Sequence, residues 1–313
     1  MHTHHSHSGD YISHAHDSLN DMVNRYIAMG FHTVCLTEHM PRLDDKFLYP
    51  EELEKQYTEN HLQDDFSRYL THAKKLQLQH KDVLNIIVGL EIEGINKAHI
   101  EYAASLMQDP SIEVTVGSIH HVHEIPIDFS TDLWLKAKLV STNGLTRSLY
   151  KSYFDLQGQV LDLKPAIVGH FDLIRLCQPV DDFDETTMKP TLEVNIAKDW
   201  PEVWEVVEQN VQKVVLYGGL FELNSSAIRK GWDTPYPKQD ITQLIIKNGG
   251  KFCFSDDAHA CSQVGLNYEK VLAYIEKLNI KEIYYLESND GVVAPVSVSV
   301  EELKASSFWN QYV

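Results

Sequence analysis

The chain has 313 residues, 43% of them hydrophobic, and a formal charge of -18 at neutral pH. That length and composition suit one large α/β domain with a sizeable core. No apolar run approaches a bilayer-spanning length, and an acidic surface disfavours both a membrane and nucleic acid as partners.

Histidine dominates the first segment: six of the seventeen fall within MHTHHSHSGDYISHAH. A purification tag would be an unbroken run and a signal peptide would be basic and then apolar, whereas here Thr and Ser separate the imidazoles and native-like sequence follows. LNDMVNRYIAMG (19–30) predicts a helix stopped by Gly30, and FHTVCLT (31–37) a strand that delivers Glu38 and His39. A long polar helical region covers 50–81, followed by the strand LNIIVGLE (84–91), which ends on Glu91. IEVTVGSIH (112–120) ends on His120 and AIVGH (166–170) on His170. Asp199 and Glu202 have capping-box spacing for a helix carrying Val203, Val206, Val207 and Val211, broken at Gly218 and Gly219. LFELN (220–224) and KFCFSDDAH (251–259) are two more strands, and KEIYYLES (281–288) is the expected last one.

The alternation of strands and helices points to parallel β/α units. A single strand-terminal histidine is ordinarily a hydrogen-bonded structural residue. Many strand ends carrying His, Asp or Glu are another matter, because a parallel barrel gathers all of them at one mouth, where such folds place their active sites. Mixed imidazole and carboxylate donors suit several divalent cations better than one structural zinc. The four cysteines (Cys35, Cys177, Cys253, Cys261) are scattered without a CxxC pair. They fit free thiols in a reducing compartment, so the expected location is the cytoplasm.

In order, HSH, TEH, GLE, SIH, GHFD and SDDAH resemble the motifs of the polymerase and histidinol phosphatase (PHP) superfamily, and TEH is similar to its histidinol-phosphatase branch. The resemblance runs from about residue 2 to residue 265. It implies a distorted (β/α)7 TIM-like barrel as one domain over residues 1–313, with two to three divalent metal ions (Zn, Mn or Fe) at its mouth. It also implies the donors: His5 and His7 with Glu91 and Asp257 for one metal, His14, His39 and His259 for a second, and Glu91 bridging to a third completed by His120 and His170. His2/His4 and His14/His16 are further HxH pairs. His5/His7 is favoured because His14 follows within one short loop, with His16 a substitute for His14. Asp256 is left as a structural group, Asp172 as an orienting one, and His121 and His123 as lining or surface residues.

A pair of divalent ions lowers the pKa of a bridging water, so hydroxide becomes available to attack a phosphoryl group near neutral pH. Arg175 and Arg229 follow strand ends and resemble the branch's phosphate-binding arginines, whose planar forks match phosphate oxygens. Arg42 is a third candidate, and Lys230 reads as a solvated neighbour. Glu222, Asn224, Asp128, Phe129, Tyr150 and Tyr153 are candidates for holding the organic part of a substrate, and Glu38 for protonating the leaving group. The expected activity is hydrolysis of the small phosphate monoester L-histidinol phosphate in histidine biosynthesis. The alternatives are another PHP phosphoesterase, such as a phosphodiesterase or exonuclease, and a non-catalytic metal-binding scaffold. Nothing in the sequence fixes the oligomeric state.

Overall fold

The computed structural model of the protein describes residues 1–184, 186–289 and 291–312. Seven strands form one parallel sheet in sequence order: β1 (His2–Thr3), β2 (Thr33–Leu36), β3 (Asn85–Glu93), β4 (Val114–Ser118), β5 (Ile167–Val168), β6 (Leu220–Asn224) and β7 (Lys251–Ser255). Beyond the last strand a parallel bridge joins Ser6 to Ala258, and the His7 amide donates to the Ala258 carbonyl at 2.9 Å. That contact rolls the sheet into a nearly closed, distorted barrel and brings the first residues against the last motif.

Strand parity sorts the side chains. On β3, Ile86, Val88, Leu90 and Ile92 join the core under the helices, while Ile87 joins Cys35, Val116, Ile167, Leu220 and Cys253 in a separate apolar layer. Those six come one from each of β2 to β7, so the layer fills the barrel's lower interior. Four residues beyond Ile87 on β3, on the same face, stands Glu91, and two further Glu93, both buried. The metal-type donors therefore sit above an apolar plug.

Several elements match the sequence reading. A helix spans Leu19–Ala28 behind a Ser18 cap, and Gly30 lies at φ +79° beyond it. The polar region divides into helices Pro50–Glu54 and Glu59–His80. No helix among the described residues is long and apolar enough to cross a membrane. All four cysteines are free.

Three elements differ. The helix Pro201–Tyr217 begins on Pro201 after Trp200, without a side-chain cap. Asp199 is held by Lys189 at 2.7 and 2.9 Å, and Glu202 pairs with Arg147, so the expected capping box does not form. Lys189 and the Asn195 amide occupy Asp199, and Arg147 occupies Glu202, so neither carboxylate is left to cap this helix. The expected last strand is also no barrel strand. It forms an antiparallel hairpin, β8 (Glu282–Asn289) with β9 (Val292–Ser299), whose Leu286 caps the apolar layer from below. Finally, β1 is so short that it carries no strand signature.

His4 lies at this lower end. Its Nδ1 faces the Phe254 carbonyl at 3.0 Å, and its Nε2 accepts the Leu286 amide at 3.0 Å. Both bonds fit the neutral ring with Nδ1 protonated, and burial lowers its pKa to about 4. A buried base with a lowered pKa leaves stability intact above its unfolded value of 6.5 and erodes it as pH falls toward the folded value. Between pH 7 and pH 5 this one residue should remove about 2 kcal/mol of folding stability. Urea melts at both pH values, compared with His4→Gln, check this: the variant should lose about 2 kcal/mol less than wild type over the same interval.

Candidate metal centre

The barrel gathers donors from the N-terminal segment and five strand ends. Glu91 sits at their centre, and its two oxygens face different imidazoles. Oε2 lies 3.1 Å from His5 Nε2, 3.3 Å from His7 Nε2 and 2.9 Å from His39 Nδ1. Oε1 lies 3.3 Å from His120 Nε2 and 3.1 Å from His170 Nε2. Asp257 completes the first side, with Oδ1 3.8 Å from His5 Nε2 and 3.6 Å from His7 Nε2. Asp257 adopts φ +47°, a left-handed conformation that aspartate tolerates better than most residues. His259 stacks near His7 with ring centroids 4.4 Å apart, and its Nδ1 donates to the Asp257 carbonyl at 2.9 Å. The remaining Nε2 then carries the lone pair.

Four donor groupings are close enough to share an ion: His7 with His39 and His259, His5 with Glu91 and His170, His5 with His7 and Asp257, and His39 with Glu91 and His120. His14 stands beside the first of these, its ring 5.6 Å from His39 and 5.0 Å from His259, whereas His16 is exposed. Of the N-terminal pairs, His5/His7 reaches the mouth. His2/His4 is buried at the lower end beside Phe254 and the hairpin.

Carboxylates behind the donors orient them. Glu222 Oε2 lies 3.2 Å from His5 Nδ1, and Glu93 Oε2 lies 3.1 Å from His120 Nδ1. Glu38 Oε2 lies 3.3 Å from His7 Nδ1 without a hydrogen bond between them, while its other oxygen accepts Ser8 Oγ at 2.6 Å. A carboxylate on one ring nitrogen fixes the tautomer and leaves the opposite nitrogen free to ligate. Burial alone would raise the Glu91 carboxyl, but His5, His120 and His39 hold it well below its ordinary range. Glu93 and Asp257 are likewise buried yet held low by the imidazoles around them. Burial pushes His259 and His14 well down, with neighbouring histidines adding to the effect. These two rings are neutral near pH 7, as ligation requires.

His5 Nε2, both nitrogens of His7, His39 Nδ1 and Glu38 Oε2 are buried without a hydrogen-bond partner. Orphaned polar atoms are costly in a protein interior unless something else satisfies them. Converging lone pairs backed by ionised carboxylates fit divalent cations.

The mouth opens into a cavity of about 300 Å³ lined by the donors other than His5 and His7, together with Tyr49, Glu51, Asp128, Phe129, Arg229, Lys230 and Gln263. Arg229 donates to the Asp256 and Asp257 carbonyls at 3.3 and 3.2 Å. Arg175 instead directs its fork at Asp240, at 3.1 and 2.8 Å, with Asp172 3.3 Å from its Nε. Arg42 is buried and turned toward Glu93 and Glu52. Glu222 lies beneath His5 and accepts Asn224 Nδ2 at 2.7 Å, because the parity of both on β6 follows Leu220 into the barrel. Tyr150 and Tyr153 are packed away from the cavity, bonded to Gln178 and to the Phe171 carbonyl. Asp172 holds Arg175 and the Lys238 amide, not a donor imidazole. His121 is buried behind Phe47 and Tyr49. Asp256 is structural, bonded to Thr3, Tyr26 and the Gly265 amide.

Sequence reasoning missed Glu93 and the lining roles of Tyr49, Glu51, Lys230 and Gln263. For Glu93 a signal existed: GLEIE places a second acid two residues beyond Glu91, on the same strand face. The other four had none.

Fold and donors together define a β/α-barrel protein with a multi-metal donor set at its C-terminal mouth. Residues 3–226 match the PHP domain, and the chain belongs to that family. It is 40% identical to a histidinol-phosphatase of Saccharomyces cerevisiae, covering 99% of this chain and 98% of the relative. A Schizosaccharomyces pombe protein described as "Probable histidinol-phosphatase" is 36% identical, covering 99% and 96%. Among solved structures, histidinol phosphate phosphatase from Lactococcus lactis, complexed with Zn, L-histidinol and phosphate, superposes with a TM-score of 0.65 at 16% identity. It covers 94% of this chain and 98% of its own, and at that identity the likeness establishes a shared fold.

Proposed function

We propose that this protein is a metal-dependent phosphomonoesterase that hydrolyses L-histidinol phosphate to L-histidinol and phosphate in histidine biosynthesis. It would act in the cytoplasm as a single barrel domain over residues 1–313. The observation that carries the reading is the placement of Glu91, whose two oxygens face separate sets of imidazoles at the mouth of a substrate-sized cavity. Near-full-length similarity to the Saccharomyces cerevisiae histidinol-phosphatase supports the substrate.

His5, His7, Glu91 and Asp257 would hold one ion, His39 and His259 with His14 or His7 a second, and Glu91, His120 and His170 a third. Two or three divalent ions of Zn, Mn or Fe there would supply Lewis acidity, making water nucleophilic near neutral pH and offsetting phosphoryl charge. Glu222 and Glu93 keep the ligating nitrogens of His5 and His120 aimed inward. Arg229 and Lys230 bring positive charge to the phosphate, and the guanidinium fork suits two of its oxygens. Asp128 and Glu51 offer carboxylates to the ammonium group, and Tyr49 and Phe129 offer ring faces to the imidazole.

Phosphate release from histidinol phosphate by the metal-loaded protein, set beside glycerol phosphate and a dinucleotide, tests this directly. Histidinol phosphate should be preferred in kcat/KM by at least about a hundredfold. Equal turnover of all monoesters would remove the substrate assignment and keep the reaction class; preference for the dinucleotide would remove both.

A further inference from the structure

A buried chain of charged groups links the metal-type donors to the wall of the cavity. Glu93 stands behind His120, accepting from its Nδ1 at 3.1 Å, and lies 3.0 Å from His39 Nδ1, the nitrogen that also faces Glu91. Its Oε1 also lies 3.3 Å from Arg42 Nη1, and Arg42 Nη2 pairs with Glu52 Oε1. The second Glu52 oxygen accepts the Tyr49 amide at 2.7 Å, and the Arg42 guanidinium covers the Tyr49 ring at 4.3 Å. Glu93, Arg42 and Glu52 are 0%, 3% and 4% exposed, so water does not compete for their bonds. Tyr49 and Glu51, by contrast, line the cavity. The chain therefore begins at the imidazoles and ends at the surface a substrate touches.

We propose that Arg42 is a positioning residue that makes the cavity wall and the donor histidines one mechanical unit. One nitrogen of its fork holds the carboxylate that orients His120 and packs against His39; the other holds the carboxylate that anchors the segment carrying Tyr49 and Glu51. Only a planar fork with several donors can serve two carboxylates and an aromatic face together, and lysine offers a point charge instead. Glu52 also sits at the third position of the Pro50–Glu54 helix and caps its start. Loosening it frees the first turn, and a wall no longer held in its binding-ready position binds its ligand more weakly.

The kinetic consequence rests on the phosphomonoesterase reading; the exchange consequence does not. In metal-saturated Glu93→Gln, hydrogen exchange of the amides in residues 49–54 should quicken about tenfold over wild type, while that of β6 stays unchanged. In Glu52→Gln, KM for histidinol phosphate should rise about tenfold with kcat within about threefold, and metal content should equal that of wild type. Should Glu93→Gln fail to fold, Arg42→Lys takes its place with the same expected exchange. Unchanged exchange in the segment overturns the proposal, and so does an unchanged KM in Glu52→Gln when wild type is active. If wild type hydrolyses no phosphomonoester, the functional reading falls and the exchange result alone decides.

Discussion

Glu91→Gln should lower phosphate release by at least about a thousandfold, because it removes the one carboxylate shared by both sets of imidazoles. The substitution keeps volume and shape, so packing around residue 91 changes little. What changes is charge. A glutamine offers one neutral carbonyl oxygen where five histidines now face two anionic ones. Substitutions behind a ligand typically cost tenfold to about a hundredfold in metal affinity or activity, and the loss of a shared ligand lies beyond that range. Metal content should fall by at least one ion per chain, read by plasma mass spectrometry beside the assay, with circular dichroism showing a folded protein. A variant that kept its full metal complement and a tenth of its activity would remove Glu91 from the centre of the site.

Arg229→Ala should act differently, raising KM about thirtyfold to a hundredfold while metal content stays at the wild-type level. A hydrogen bond to a charged partner contributes about 1.5 to 3 kcal/mol, and loss of about 2 to 3 kcal/mol of phosphate binding corresponds to that factor. Arg229→Lys should recover part of the loss, since charge returns without the fork. The competing role is mechanical, because Arg229 also holds the Asp256 and Asp257 carbonyls. If that role dominated, metal content would drop and KM would hold steady. Steady-state kinetics paired with metal analysis separates the two.

Much of the site was legible because strand parity is a local property. GLE, SIH and SDDAH put their acids and imidazoles at strand ends by the pattern of two alone, and the structure brings Glu91, His120, His170 and Asp257 to one place. The alternation of strands and helices likewise implied parallel β/α units, and the family resemblance implied their closure into a barrel. Depth within that barrel was not legible. Glu222 has the same parity as a cavity residue but lies under His5, and Glu38 and Arg42 sit behind the donors instead of in front of them. Lys230, which reads as a solvated side chain, lines the cavity.

The amino-acid sequence by itself determined the family resemblance, the donor types and the strand ends that carry them, since each depends on residues close together in the chain. Tertiary structure decided which N-terminal histidines reach the mouth. A bend at His4 separates His2 and His4 below from His5 and His7 above, and the bridge from Ser6 to Ala258 fixes their height. It also decided that Leu286 and its hairpin plug the lower end, and that Arg42 faces two buried carboxylates. Each of these depends on register between segments distant in sequence. That register is set by barrel closure and packing, which no local pattern encodes.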